Sequence, residues 1–294
     1  MVFPVLTIVV TQLAGAEQAG MFSLAFVTAL LLMFVGNYGM RNFQASDLDE
    51  EYSFADYQAN RVLTCVIMLV AGLTYCNIRG YTDQMWLMSL GVYLYKMVDA
   101  LADVYEGRLQ QKDKLYLAGM SQAFRSAAAL IGFTFALLIM RNVGVSSIVM
   151  AVVAAATFVV FTFPLAKLET PKSRRVNVKR VVNLLVQCFP LFVALFMYNL
   201  IDNMPKFVME GALSYDNQLY YNALYFPAHA ILLTSGFIYK PMLLKMANAW
   251  ADPAKRKKFD LIIVVMFVII VAITVVMAGA MSWFGLAIMS FLYG

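Results

Sequence analysis

Residues 84–141 read QMWLMSLGVYLYKMVDALADVYEGRLQQKDKLYLAGMSQAFRSAAALIGFTFALLIMR, and this stretch decides the fold class. Two apolar runs, Gln84 to Tyr105 and Leu115 to Met140, flank a short turn rich in Gln and Lys. An α-helix rises 1.5 Å per residue, so about 20 predominantly apolar residues cross the roughly 30 Å hydrocarbon layer, and both runs reach that length. The same pattern extends to either side, at Ala19 to Met40, Arg61 to Asn77, Val145 to Leu165, Leu184 to Met204, Leu219 to Met246 and Leu261 to Phe284. A shorter run, Met1 to Leu13, reads as the tail of a span whose beginning is missing. Counting it gives an all-α, polytopic transmembrane bundle of about nine spans. The composition agrees: 62% of the 294 residues are hydrophobic and 13% charged, against about 45 to 50% and about 25% in soluble domains, which excludes an ordinary water-soluble globule.

Loop cations test the assignment, because Lys and Arg accumulate in cytoplasmic loops. With the first short turn facing out, seventeen of the 22 cations fall on one side. Only Arg79, Arg141 and Lys206 fall on the other, and Lys96 and Arg125 lie within spans. That asymmetry places the N-terminal side in the cytoplasm. The longest polar break, 167–180, carries Pro171 and six cations, and divides an N-terminal lobe (1–166) from an incomplete C-terminal lobe (181–294). The acidic stretch Asp47 to Arg61, with Tyr52, Phe54 and Tyr57, reads as a short interfacial helix. Cys65, Cys76 and Cys188 lie in apolar runs without metal-ligand spacing. No P-loop, dinucleotide fingerprint or nucleophile elbow is present, so neither ATP-driven pumping nor a catalytic residue is assigned, and no cofactor, metal or nucleic-acid partner is expected.

Four intramembrane residues share one stripe: Lys96, Asp99, Asp103 and Glu106, spaced 3, 4 and 3 apart. Such a stripe cannot face lipid. Lys96 can pair with Asp99, which leaves Asp103 needing a partner from another helix. Arg125 sits about 15 Å into its helix, counting from Leu115, where an arginine costs at least about 2.5 to 3.5 kcal/mol unless it meets a partner or water. Asp99 or Asp103 is the expected counter-charge. Two readings stay open for the stripe and Arg125: helix-gluing ion pairs, or the lining of a wet cavity that contacts substrate phosphate. Asp202 and Lys206, four apart near the end of the seventh span, read as a helix-stabilising pair or as a gate. His229, two residues after Pro227, reads as a structural hydrogen-bonding histidine or as a proton-coupling group. Arg41 meets a headgroup or simply follows the cation bias of inner loops.

Residues 13–41, LAGAEQAGMFSLAFVTALLLMFVGNYGMR, carry a turn of the form Gly, four residues, Gly, then an aromatic (Gly15, Gly20, Phe22), and a span ending Tyr38-Gly39-Met40-Arg41. With YEGRLQQKDKL at 105–115 and a proline-containing seventh span after a basic linker, the chain resembles bacterial polysaccharide flippases of the Wzx type, in the multidrug/oligosaccharidyl-lipid/polysaccharide exporter superfamily. The likeness is diffuse and runs over the whole chain. Members of that family have two pseudo-symmetric six-helix lobes, so the chain reads as a truncated member. The resemblance implies a bacterial inner-membrane transporter that moves an undecaprenyl-pyrophosphate-linked oligosaccharide from the inner to the outer leaflet by alternating access, without covalent chemistry. It further implies membrane lipids and a polysaccharide polymerase machinery as partners. A glycan and a pyrophosphate cannot cross hydrocarbon unaided, so a water-accessible, cationic cavity is expected, with Arg125, Lys96, Asp99, Asp103 and Arg41 lining it and Asp202, Lys206 and His229 gating or coupling. Two rivals are a drug or metabolite antiporter of the same superfamily and a membrane prenyltransferase holding Mg²⁺ at the Asp99-x-x-x-Asp103 pair.

Overall fold

The computed structural model describes residues 2–47, 50–81, 83–168, 170, 176–210, 212–222, 225, 231, 234 and 256–293. They form helices α1 (Val2–Ala14), α2 (Ala16–Asn37), α3 (Met40–Ser46), α4 (Phe54–Ile78), α5 (Asp83–Gln111), α6 (Leu115–Met140), α7 (Val143–Thr157), α8 (Phe163–Leu168), α9 (Val178–Met209) and α10 (Arg256–Tyr293). A π-helical turn, Phe158–Thr162, joins α7 to α8. No strand occurs among the described residues, and an isolated bridge links Glu210 to Leu213. The chain separates into two compact units, Met1–Gln218 and Leu219–Gly294.

Among the described residues six helical segments are long and apolar enough to cross a membrane: Ala16–Asn37, Phe54–Ile78, Leu115–Met140, Val143–Leu168, Val178–Met209 and Phe259–Gly285. These are the lengths and compositions of a helical membrane protein, with six such segments where the sequence suggested nine. Three expected spans account for the difference. The run Met1 to Leu13 is the 13-residue α1. The run Leu219 to Met246 falls largely outside the described residues, as do positions 169 and 171–175 of the expected linker at 167–180. The third, α5, is 29 residues long but carries its charged stripe in mid-helix, so its composition is not that of a lipid-facing rod.

That helix is the axis of the first unit. It packs against α2, α3, α4, α6 and α7, and buries residues on every side, from Met85 to Leu109. Polar residues are tolerated because the neighbouring helices answer them. Its closest approach is to α7, where Gly91 faces Ser147 so tightly that a Cβ would lie 2.5 Å from the Ser147 carbonyl carbon. Small residues at a helix crossing let backbones approach, which compensates within lipid for the missing hydrophobic drive. In contrast, α4, α6 and α9 turn aliphatic and aromatic side chains such as Val66, Phe135 and Tyr198 outward, as a bilayer requires.

Where the helices break is set by chemistry. Tyr38 and Gly39 both take left-handed backbone angles (φ 50° and 66°), ending α2 and starting α3. The short helix on that side is therefore Met40–Ser46, and of the expected interfacial helix at 47–61 only Phe54 onward is helical among the described residues, as the first turns of α4. A capping box explains that start: the Ser53 side chain accepts from the Asp56 amide, and the Asp56 carboxylate accepts from the Ser53 amide. The π turn has a proline behind it. Pro164 lacks the N–H that would bond to the Val160 carbonyl, and Phe163 N–H reaches back instead to Phe158. Substituting Ser53 by Ala is expected to cost about 1 kcal/mol through the lost cap, whereas Gly91→Val should cost several times more by forcing α5 off α7. Thermal unfolding of the purified chain in detergent, compared across the two variants, checks the order.

Candidate functional site: a buried charge network on α5

The stripe on α5 is the centre of a continuous ion network. Lys96 Nζ meets Asp99 Oδ2 at 2.9 Å, and Arg125 Nε on α6 meets Asp99 Oδ1 at 2.9 Å. The same guanidinium reaches Glu106 Oε1 at 2.8 Å through Nη1. The chain of charges continues from Glu106 to Arg41 Nη1 on α3 at 3.5 Å, and from Arg41 Nη1 to Asp103 Oδ1 at 2.7 Å. Asp103 Oδ2 then takes Arg61 Nη2 from α4 at 2.8 Å. Seven side chains from four helices are joined, four cationic and three anionic, a formal excess of one positive charge.

Each member is fixed by a second contact. Lys96 Nζ lies 5.0 Å from the Phe26 ring centre and 4.7 Å from that of Tyr95, a cation–π arrangement. Arg61 Nη1 donates to the Gly36 carbonyl and Asn37 Oδ1, 2.8 and 2.9 Å away, and Thr64 also donates to the Gly36 carbonyl. The bonds from Arg61 and Thr64 satisfy the Gly36 carbonyl, one of those left open where α2 ends. Arg41 Nε donates to Gln110. Arg125 Nη1 lies 3.5 Å from Thr162 Oγ1, whose hydroxyl the π turn places there and which also shares a hydrogen bond with Ser121. Only 1% of the Arg125 side chain is exposed, against 29% for Arg41, so the network runs from a dry interior to a wetter edge. A guanidinium supplies planar, forked donors suited to carboxylates, and here two carboxylates about two turns apart on α5 answer one guanidinium.

The structure thus brings together Arg125, Lys96, Asp99, Asp103 and Arg41. Arg125 bonds Asp99 rather than Asp103, because Asp103 faces Arg41 and Arg61. Glu106, placed on the stripe by its spacing but not named among the cavity candidates, belongs to the network, and Arg61 is the member that spacing did not pick out. For Arg61 a signal existed: Ser53-Phe-Ala-Asp56 has the form of a capping box, which starts α4 at Phe54 and carries Arg61 two turns inside it. The other candidates lie elsewhere. Asp202 and Lys206 are near the end of α9, where Lys206 is buried and its Nζ meets Asn203 Oδ1 at 3.2 Å. His229 lies outside the described residues.

A smaller cluster closes the edge of the network. Glu50 accepts from Arg108 Nη1 at 2.9 Å and Lys112 Nζ at 2.7 Å, tying the loop before α4 to the end of α5. Asp47 accepts from the Glu51 and Tyr52 amides and the Tyr57 hydroxyl, which shapes the same loop. The bonds from Lys112 and Arg108 hold the Glu50 carboxyl below its ordinary range. A depressed folded-state value means that the tether contributes fully above the ordinary carboxylate pKa and is lost as pH falls through the depressed one.

No family model, curated protein or solved structure matches the chain. The likeness to Wzx-type flippases therefore rests on the sequence motifs. In the structure Gly15 forms the α1–α2 turn, Tyr38-Gly39 the α2–α3 break, and Arg41 a member of the network.

Proteolysis of the 47–53 loop in the folded chain should remain slow at neutral pH and accelerate as the medium is acidified below the carboxylate range. Glu50→Gln should be cleaved fast at neutral pH already and lose part of that pH dependence.

Proposed function

We propose that the chain is a flippase-like transporter of the bacterial inner membrane, with its N-terminal side cytoplasmic, that carries an undecaprenyl-pyrophosphate-linked oligosaccharide to the outer leaflet without covalent chemistry. The observation that supports this best is the buried network itself. Four cations and three carboxylates, contributed by α5 and by three helices packed against it, meet inside a membrane-type bundle, where charge is expensive and usually functional. The excess positive charge suits a pyrophosphate. Arg41, at the wetter edge, is the first cation a headgroup would meet, and Arg125 the deeper one. A guanidinium that leaves a carboxylate for a phosphate exchanges one forked acceptor for another, so the cargo can be taken up without stranding a bare charge. The glycan follows through water while the lipid tail stays in the membrane. Asp202 and Lys206 serve as gating candidates on α9. Membrane lipids and a polysaccharide polymerase are the partners this reading carries.

One observation favours a second reading of the network: in this conformation Arg125 is answered on both sides by carboxylates of its own lobe. A purely structural brace would look the same. The two readings separate in proteoliposomes loaded with a fluorescent undecaprenyl-pyrophosphate oligosaccharide. Arg125→Ala should slow flipping at least about tenfold under either reading. The double variant Glu106→Gln, Arg125→Gln removes one buried charge of each sign while Asp99 keeps its Lys96 partner, and so is expected to fold normally. It should stay inactive if Arg125 handles cargo; normal flipping by that variant would refute a cargo role.

A further inference from the structure

At the end of the first unit away from Arg41 and Arg61, the last turn of α9 is held to the rest of the lobe by one buried carboxylate. Glu210, whose side chain is 4% exposed, accepts from the Tyr75 and Tyr81 hydroxyls at 2.6 Å each and from Arg79 Nη2 at 2.8 Å. The same Arg79 nitrogen reaches the Glu210 carbonyl at 3.1 Å. Tyr75 closes α4, and Arg79 and Tyr81 belong to the α4–α5 turn, so a single acid on the α9 side gathers three donors from a single corner. Burial, and then the bond to Glu210, push the Tyr81 hydroxyl upward in pKa, so it remains a donor. Beyond Glu210 the chain turns back: Gln218 donates to the Lys206 carbonyl, and the Tyr215 carbonyl lies against Gly20 where any Cβ would collide with it.

Two features mark this attachment as releasable. Between Cys188 and Lys206 no residue of α9 is fully buried, so beyond the Phe192–Tyr38 stack this stretch of the helix is only partly covered by the lobe. Pro205, inside α9 five residues before Glu210, withholds an N–H from the Ile201 carbonyl and weakens the helix there. Next to the carboxylate lies a cleft of about 460 Å³, lined by Glu17, Arg79, Tyr81, Glu210 and Tyr215 among others.

We propose that Glu210, Arg79, Tyr75 and Tyr81 form a clasp that holds the end of α9 closed on the α4–α5 turn, and that its release, hinged at Pro205, widens this cleft. The charged pair supplies the strength, since hydrogen bonds to ionised groups exceed neutral ones about twofold. The tyrosines supply direction, keeping the carboxylate aimed at the turn when Arg79 exchanges with water. Apolar packing at the site is slight: the Phe207 ring meets Tyr75 edge-on at 6.5 Å. This device does not depend on what the cargo is.

The test places spin labels at Asp83 and Ser214, both exposed, in the full chain with its three buried cysteines replaced, and reads the distance between them in nanodiscs. The parent chain should give one dominant short distance. Glu210→Gln and Arg79→Gln should each raise the share of a longer distance about tenfold, and the double variant no further, because both changes remove the same contact. Tyr81→Phe, which leaves the charged pair in place, should give a smaller rise in the same direction and serves where the charge variants fail to insert. Distance distributions unchanged in all variants that insert would overturn the clasp while leaving the transport reading untouched. Rises that add in the double variant would equally overturn it, since the two residues would then act independently.

Discussion

A charge placed among hydrocarbon must find an opposite charge, and in this chain that requirement organises the first unit around α5. Lys96, Asp99, Asp103 and Glu106 occupy one stripe of a helix that would otherwise face lipid, so α5 is drawn inside and ringed by α2, α3, α4, α6 and α7. The neighbours are placed to answer it. Arg125 on α6 spans two acids about two turns apart, and Arg41 and Arg61 converge from α3 and α4 on Asp103. The break at Tyr38-Gly39 belongs to the same solution, because Arg61 Nη1 donates to the Gly36 carbonyl and to the Asn37 side chain at the end of α2.

The periodicity and charge of the sequence carried much of this. The spacing 96, 99, 103, 106 already placed four ionisable groups on one face, and the depth of Arg125 already demanded an acid from the preceding helix. The partner of Asp103 was not legible, because it depends on where α4 begins, and Arg61 reads as a loop cation until the Ser53–Asp56 cap is seen to start the helix seven residues before it. The π turn was equally hidden: Pro164 announces an irregularity, but only the folded backbone shows that Thr162 swings toward Arg125. Apolar length picks out α5 and α6 alike, although α5 carries a charged stripe in mid-helix and α6 a single arginine.

The two ends of α9 are attached in different ways. Near its start the Asn177 amide donates to Asp56, Asn60 to the Val181 carbonyl and Asn183 to Tyr52, while the Tyr38 and Phe192 rings stack at 4.5 Å, so polar and apolar contacts share the attachment. At its far end the attachment is concentrated on Glu210. An element held broadly at one end and by a few directional bonds at the other, with prolines at 190 and 205, has the mechanical form of a lever.

The central claim is that Arg125 is energetically bound to the acids of α5. A double-mutant cycle between Arg125→Met and the paired change Asp99→Asn with Glu106→Gln, read by steric-trap unfolding in bicelles, measures that directly. Each arm alone should cost about 3 to 5 kcal/mol and the combination about as much as one arm, a coupling of about 3 kcal/mol. Costs that add to within about 0.5 kcal/mol would contradict the account, for they would mean that the guanidinium and the carboxylates are held by something other than each other.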